Sequence, residues 1–309
     1  VSRHAPRAAA LVVAAALAAL FLWPEAPARP TGAWLAAAGL APRFETIEGF
    51  RVRYVRGGSG PPLILVHGLA SSLYTWRHVW SALAAGHDVV ALDLPGFGGS
   101  DQPPDLSVAA YPRVLRGLAD RLGIRQAAVV GHSLGGAAAV MLAAQEPDRV
   151  TRLALLAPAG FNLAPADRPW LLRLAGSPAG RVLEAMPARR ALVRLGLRQV
   201  FHDDSKFGSD DVEEYWAPLA RPGALASTRS LLRTGAGATA ERFEALASRV
   251  AVPTLLVWGR EDAWIPAASA ERFTRAIPSA RLTILDACGH MPQEEQPEIL
   301  VGLLREFLG

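Results

Sequence analysis

The sequence predicts an α/β fold in which a mostly parallel sheet carries helices on both faces and a helical cap insertion at one end. Three observations lead there. From Phe44 onward, short continuous apolar runs alternate with helical stretches, the pattern of strands covered on both faces with helical crossovers between them. The motif Gly131-His132-Ser133-Leu134-Gly135 stands where a strand run ends and a helical stretch begins. Between the strand run ending near Ala157 and the one starting near Thr254, only Leu/Arg-rich helical stretches broken by prolines remain.

Residues 1–30 read as a signal or membrane-anchor segment rather than as part of an enzyme. Arg3, His4 and Arg7 precede an uncharged run over 8–23, and Ala26-Pro27-Ala28 places small residues on either side of a proline as a cleavage site requires. The segment is either a cleaved export signal or an uncleaved anchor, with Trp23 suited to a membrane interface. Both readings put any membrane association in residues 8–23 and the catalytic part on the non-cytoplasmic side. Residues 31–43 are expected to be a linker or a short amphipathic helix. Residues 44–160 form the first part of the core, with a hairpin around Glu48-Gly49 and strands over 63–66, 89–92, 128–130 and 153–156. Helical patterns cover 108–122 and 134–145. Residues 161–250 are the cap, interrupted by Pro169, Pro178, Pro187, Pro218 and Pro222. Residues 251–309 complete the core with strands over 255–258 and 282–285 and helices over 267–276 and 297–308. No internal repeat is visible.

Composition removes several function classes. Hydrophobic residues make up 51% and charged residues 19% of the chain, which excludes a disordered or highly charged protein. The formal charge is +4, but the basic residues are almost all Arg and are scattered among Asp and Glu. No aromatic-rich basic stripe is present, so nucleic acid is not an expected partner. Cys288 is the only cysteine, which rules out an intramolecular disulfide and a cysteine-based metal site.

The chemistry concentrates at three loops. A serine on a sharp strand-to-helix turn needs small neighbours, because the turn crowds the backbone on both sides. Gly131, Gly135 and Gly136 supply them, and the turn lifts the Ser133 hydroxyl above the sheet edge. A serine hydroxyl is a poor nucleophile without a base. Of the seven histidines, His290 follows the last strand run, at the same sheet end as Ser133, where open α/β sheets build their sites. His132 is expected to pack away from the nucleophile, and His67 to orient its own loop. Asp262 lies just beyond the strand run ending at Trp258 and is the expected acid behind His290, with Glu261 as the adjacent competitor. The backbone N–H groups of Leu69, after His67-Gly68, and of Leu134 form the expected oxyanion hole, each donor worth roughly 3 kcal/mol. No metal or cofactor enters this chemistry.

From about Phe44 to the C-terminus the chain resembles the α/β-hydrolase family. The residues that carry the resemblance are the His67-Gly68 loop, the Asp-Leu-Pro-Gly-Phe-Gly-Gly-Ser stretch at 93–100 and the Ser133 elbow. The Gly259 to Asp262 turn with Pro266 after it, and the Gly289-His290 loop, add to them. The resemblance implies the fold and a Ser133–Asp262–His290 machinery, with residues 93–100 a structural turn. Family members that open epoxides or displace halide use Asp as nucleophile, and Ser133 departs from them. Cleavage of carboxylic esters, esterase- or lipase-like, through an acyl-enzyme on Ser133 is the expected function. Carbon–carbon hydrolysis of ring-fission products, amidase, thioesterase, peptidase or perhydrolase activity, and a non-catalytic ligand-binding role on the same fold are the alternatives. The expected partner is a small apolar ester or acyl substrate. In the cap, the leucines, Trp170, Tyr215 and Trp216 are read either as an apolar acyl pocket or as ordinary cap core.

Overall fold

Strand-forming runs that are apolar at every position must be covered on both faces, and this chain meets that requirement with a central sheet between two layers of helices. The computed structural model describes residues 26–27, 29, 31–161, 169–177, 189–234 and 240–309. The expected targeting segment lies outside the described residues except for Ala26, Pro27 and Arg29. Among the described residues, no helix is long and apolar enough to cross a membrane.

The sheet has eight strands: β1 (Arg43–Ile47), β2 (Phe50–Gly57), β3 (Pro62–Val66), β4 (Asp88–Leu92), β5 (Ala127–His132), β6 (Val150–Leu156), β7 (Thr254–Gly259) and β8 (Ala280–Leu285). Their spatial order is β1-β2-β4-β3-β5-β6-β7-β8. Only β2 runs antiparallel to its neighbours, and every pair from β4 to β8 is parallel. The expected fold class is therefore the observed one. Alternation along each strand divides the core cleanly. In β3, Ile64 and Val66 face one apolar cluster while Leu63 and Leu65 face the other. In β7, Leu256 and Trp258 join the first cluster while Leu255 and Val257 join the second.

The described α-helices are α1 (Ala33–Ala37), α2 (Trp80–Ala84), α3 (Tyr111–Arg121), α4 (Leu134–Gln145), α5 (Trp170–Gly176), α6 (Arg190–Val200) and α7 (Ser209–Leu219). After them come α8 (Ala224–Thr234), α9 (Ala240–Ala247), α10 (Ala270–Ala276), α11 (Pro292–Glu295) and α12 (Pro297–Leu308). Helices α3, α4 and α10 cover one face of the sheet, and α2 and α12 the other. In α4 every residue from Leu134 to Ala144 is buried. This explains its run of Gly and Ala: a helix sunk between sheet and neighbours has no solvent face, and small residues let the backbones approach. Residues 31–43 include α1, whose Leu35 is buried in the second cluster.

Helices α5 to α9 fall in the interval without strands, and no strand occurs there among the described residues. Helices α6 and α7 close a third apolar cluster of Leu197, Val200, Phe201, Phe207, Val212 and Tyr215, completed from the core by Tyr74 and Met291. Cap and core therefore share one dry joint. A buried ion network reinforces it. Arg77 Nη2 lies 2.6 Å from Asp211 of α7, its Nη1 2.5 Å from Glu294 of α11, and Thr75 Oγ1 donates to Glu294 at 2.6 Å. Tyr215 also donates its hydroxyl to Glu294, and its ring meets that of Tyr74 edge to face at 5.8 Å. Trp216 lies under the guanidinium of Arg190, 3.6 Å from its ring centroid. These contacts support the cap-core reading for Tyr215 and Trp216, whereas Trp170 is 45% exposed.

Candidate active site

All three chemistry-bearing loops leave the C-terminal ends of parallel strands, so the topology gathers them at one edge of the sheet. Ser133 sits between β5 and α4 with φ 50° and ψ −116°, a backbone conformation that side chains with a Cβ rarely adopt. Such strain costs of order 1–3 kcal/mol and persists only where the surroundings impose it. Here the Ser133 N–H donates to Leu156 O at 2.9 Å, and its carbonyl accepts from Ala137 and Ala159 at 3.1 and 2.9 Å. The expected glycine requirement has a direct steric cause. A Cβ on Gly135 would lie 2.2 Å from Val66 O, and one on Gly131 would lie 2.6 Å from Gly135 O.

His290 and Asp262 meet as a buried pair. His290 Nδ1 is 2.7 Å from Asp262 Oδ2, and the two side chains are 3% and 0% exposed. A carboxylate only accepts, so Nδ1 carries a proton, and in the neutral ring the lone pair then falls on Nε2. The other carboxylate oxygen, Oδ1, accepts the N–H groups of Trp264 and Ile265, each at 2.8 Å, which fixes the carboxylate plane. Trp264 stacks on the imidazole at 5.8 Å. The competitor Glu261 turns elsewhere: its carboxylate accepts the Cys288 N–H at 3.0 Å and holds the loop that carries His290. Gly259 permits this union of loops, because a Cβ there would lie 2.0 Å from Gly289 O.

His290 Nε2 is buried without a hydrogen-bond partner among the described residues. No hydrogen bond joins it to the Ser133 hydroxyl; the elbow reaches His290 through the neighbouring residue. His132, 2% exposed, has its ring 4.9 Å from that of His290, with Nε2 2.8 Å from the His290 carbonyl. Carbonyls accept, so His132 Nε2 donates. Burial, and then the nearby His290, push the His132 pKa well below its ordinary value, which keeps the ring neutral. His132 therefore does more than pack, since it also holds the loop that carries the imidazole. His132→Phe keeps the ring and deletes the donor. It is expected to lower kcat about ten-fold, the cost of one buried hydrogen bond at the His290 loop. Steady-state kinetics on a short ester checks this, and an unchanged kcat would remove His132 from the site.

The loop after β3 packs directly against the elbow. A Cβ on Gly68 would lie 2.9 Å from His132 Nδ1 and 3.0 Å from Ser133 Cβ. Among the described residues, neither the Leu69 nor the Leu134 N–H has a backbone acceptor, and Leu134 opens α4, where helical N–H groups are unpaired by geometry. His67 behaves as an orienting residue: its Nε2 accepts the Leu94 N–H at 3.0 Å and its Nδ1 meets Gly68 O at 2.7 Å. Burial lowers its pKa, consistent with a neutral ring in that tautomer. Residues 93–100 form a tight turn in which buried Asp93 accepts the N–H groups of Leu73 and Gly99 at 2.8 and 2.6 Å.

Several residues at the site carry no signal in the sequence. Glu295 accepts from the Gly289 N–H at 2.9 Å and from the His202 N–H at 2.7 Å. The His290 N–H donates to Val200 O at 2.7 Å. These contacts bind positions far apart in the chain, and a Glu-Glu pair in a first helical turn reads as helix-dipole chemistry alone. Cys288 is a free, buried thiol whose pKa burial pushes upward, so it stays protonated and inert. Among the described residues, no cluster of His, Cys, Asp and Glu is arranged to hold a metal ion.

Comparison with known proteins places this arrangement in a wider group. Residues 61–297 match the family model described as alpha/beta hydrolase fold. The acetyltransferase component of the acetoin cleaving system of Cupriavidus necator, a dihydrolipoyllysine-residue acetyltransferase, is 34% identical over 292 residues, covering 92% of this chain and 73% of that one. The 2-hydroxy-6-oxo-6-phenylhexa-2,4-dienoate hydrolase of Burkholderia cepacia is 27% identical over 85% of this chain and 92% of its own. The crystal structure of a candidate lipase from Acinetobacter baumannii superposes with a TM-score of 0.76 at 25% identity, over 92% of this chain and 98% of that one. The names of these relatives thus differ: an acetyltransferase component, a dienoate hydrolase and a candidate lipase.

Proposed function

Because the chain belongs to the α/β-hydrolase fold family, we propose that it is a serine hydrolase that cleaves carboxylic esters through an acyl-enzyme on Ser133. One observation carries this reading. An imidazole held by a buried carboxylate at 2.7 Å leaves a buried Nε2, unpartnered among the described residues, at the sheet edge where a strained turn presents Ser133.

In the proposed reaction His290 Nε2 takes the Ser133 proton as Oγ bonds to the ester carbonyl carbon. The oxyanion is held by the N–H groups of Leu69 and Leu134. His290 returns the proton to the departing alcohol as the carbon–oxygen bond breaks. It then deprotonates a water that attacks the acyl-enzyme, and Ser133 recovers its proton as the acid leaves. Asp262 stays ionised and stabilises the imidazolium in both halves. The likeness to a candidate lipase supports the ester reading, and the relative from Burkholderia cepacia supplies the rival, a carbon–carbon hydrolase.

A fluorophosphonate probe and a panel of nitrophenyl esters of increasing acyl length test the proposal together. Labelling at Ser133 with turnover of at least one ester is the expected result. Turnover of a ring-fission dienoate without any ester would replace the ester reading by the rival. Absence of labelling would end the nucleophile assignment.

A further inference from the structure

The loop that carries His290 is held from the cap as much as from the core. The Val200 carbonyl, at the end of cap helix α6, accepts the His290 N–H at 2.7 Å. Two residues on, the His202 N–H donates to Glu295 at 2.7 Å. The other oxygen of the same carboxylate accepts the Gly289 N–H at 2.9 Å and the Met291 N–H at 3.3 Å. Glu295 is 2% exposed, so these N–H groups stand in for water. Burial pushes its pKa up, and the backbone donors, His202 first, oppose the push. No slack exists between the two segments, since a Cβ on Gly289 would lie 2.5 Å from Val200 O and 2.7 Å from His202 N. Met291 on one side of His290 is buried in the same apolar cluster as Val200 and Phe201. The adjacent carboxylate, Glu294, engages Tyr215 of α7 and the Arg77 that also holds Asp211.

We propose that Glu295 is a positioning residue that ties the His290 loop to the cap segment Val200–His202, so that the cap holds the general base in place besides covering the site. The role of His290 rests on the serine-hydrolase reading above; the tie between the two segments does not. A buried carboxylate that accepts from both segments at once joins them more tightly than packing alone, because separating them strands a charge in a dry place. Displacement of this part of the cap therefore loosens the base.

The test uses the full chain with Glu295→Ala and Glu295→Gln, read by amide hydrogen exchange and by kinetics on a short nitrophenyl ester. Gln keeps a carbonyl for Gly289 and Met291 but turns an NH2 toward the His202 N–H. Glu295→Ala is expected to speed exchange about ten-fold or more in both segments, 289–291 and 201–203, leaving the central strands β3 to β6 protected. kcat is expected to fall about 10- to 100-fold with KM within about two-fold, since a small misplacement of a catalytic group has this effect. Glu295→Gln is expected to lie between Ala and wild type in both readouts. Exchange unchanged in either segment, exchange raised equally throughout the core, or a loss confined to KM would each overturn the proposal. A wild type that turns over no ester and takes no fluorophosphonate label would sink the serine-hydrolase reading alone, because the exchange coupling is read without turnover.

Discussion

Ser133→Ala is expected to lower kcat/KM for a short nitrophenyl ester by about 10⁴- to 10⁶-fold and to abolish fluorophosphonate labelling. The size follows from what is lost and what stays. The substitution deletes the attacking oxygen but leaves the Leu69 and Leu134 N–H groups, so only oxyanion stabilisation and binding remain to assist water. The fold is expected to survive. Ser133 has φ 50°, and alanine carries the same Cβ into that conformation, so the strain is neither raised nor relieved. The backbone bonds that impose the turn, from Ser133 N–H to Leu156 and from Ala159 N–H to Ser133, involve no side chain. A thermal midpoint within a few degrees of wild type, beside the lost activity, separates a chemical role from a structural one. Activity retained within ten-fold would mean that another residue attacks.

The sheet and the three loops were legible because each rests on a local rule. Strand segments covered on both faces must be apolar, and 63–66, 89–92, 128–130, 153–156 and 255–258 are; the elbow needs glycines wherever a Cβ would strike backbone, and Gly131 and Gly135 stand there. His290 and Asp262 were reachable because the order of strands along the chain places both loops at one sheet edge. What escaped was set by contacts between distant segments. Nothing local distinguishes Glu295 from a helix-opening acid, yet it accepts an N–H from His202 across the cap joint. For Tyr215 and Trp216 both pocket and cap core were open, and it was only their contacts with Glu294, Tyr74 and Arg190 that favoured packing. The role of His132 was half visible: a packed residue beside the elbow was expected, whereas its bond to the His290 carbonyl depends on where a loop beyond β8 comes to rest.

Asp262→Asn is expected to lower kcat by about 10⁴-fold while Glu261→Gln changes it less than about three-fold. The two acids are neighbours in sequence and opposite in use. Asp262 gives one oxygen to His290 Nδ1 and the other to the N–H groups of Trp264 and Ile265. An asparagine has one acceptor oxygen for these two demands. With its oxygen kept on the two backbone donors, it turns NH2 toward His290, which forces the proton from Nδ1 to Nε2 and leaves no lone pair to take the Ser133 proton. With its oxygen turned to His290 the tautomer is saved, but the amide then faces two buried N–H groups donor to donor, which costs about 1–3 kcal/mol for each one stranded. The backbone donors outnumber the imidazole, so the inactive tautomer prevails. Among the described residues the Glu261 carboxylate accepts only the Cys288 N–H, and the carbonyl of a glutamine accepts that bond as well. Steady-state kinetics with equal thermal midpoints for the two variants decides the matter: a large loss in Glu261→Gln, or a small one in Asp262→Asn, would reassign the acid that orients His290.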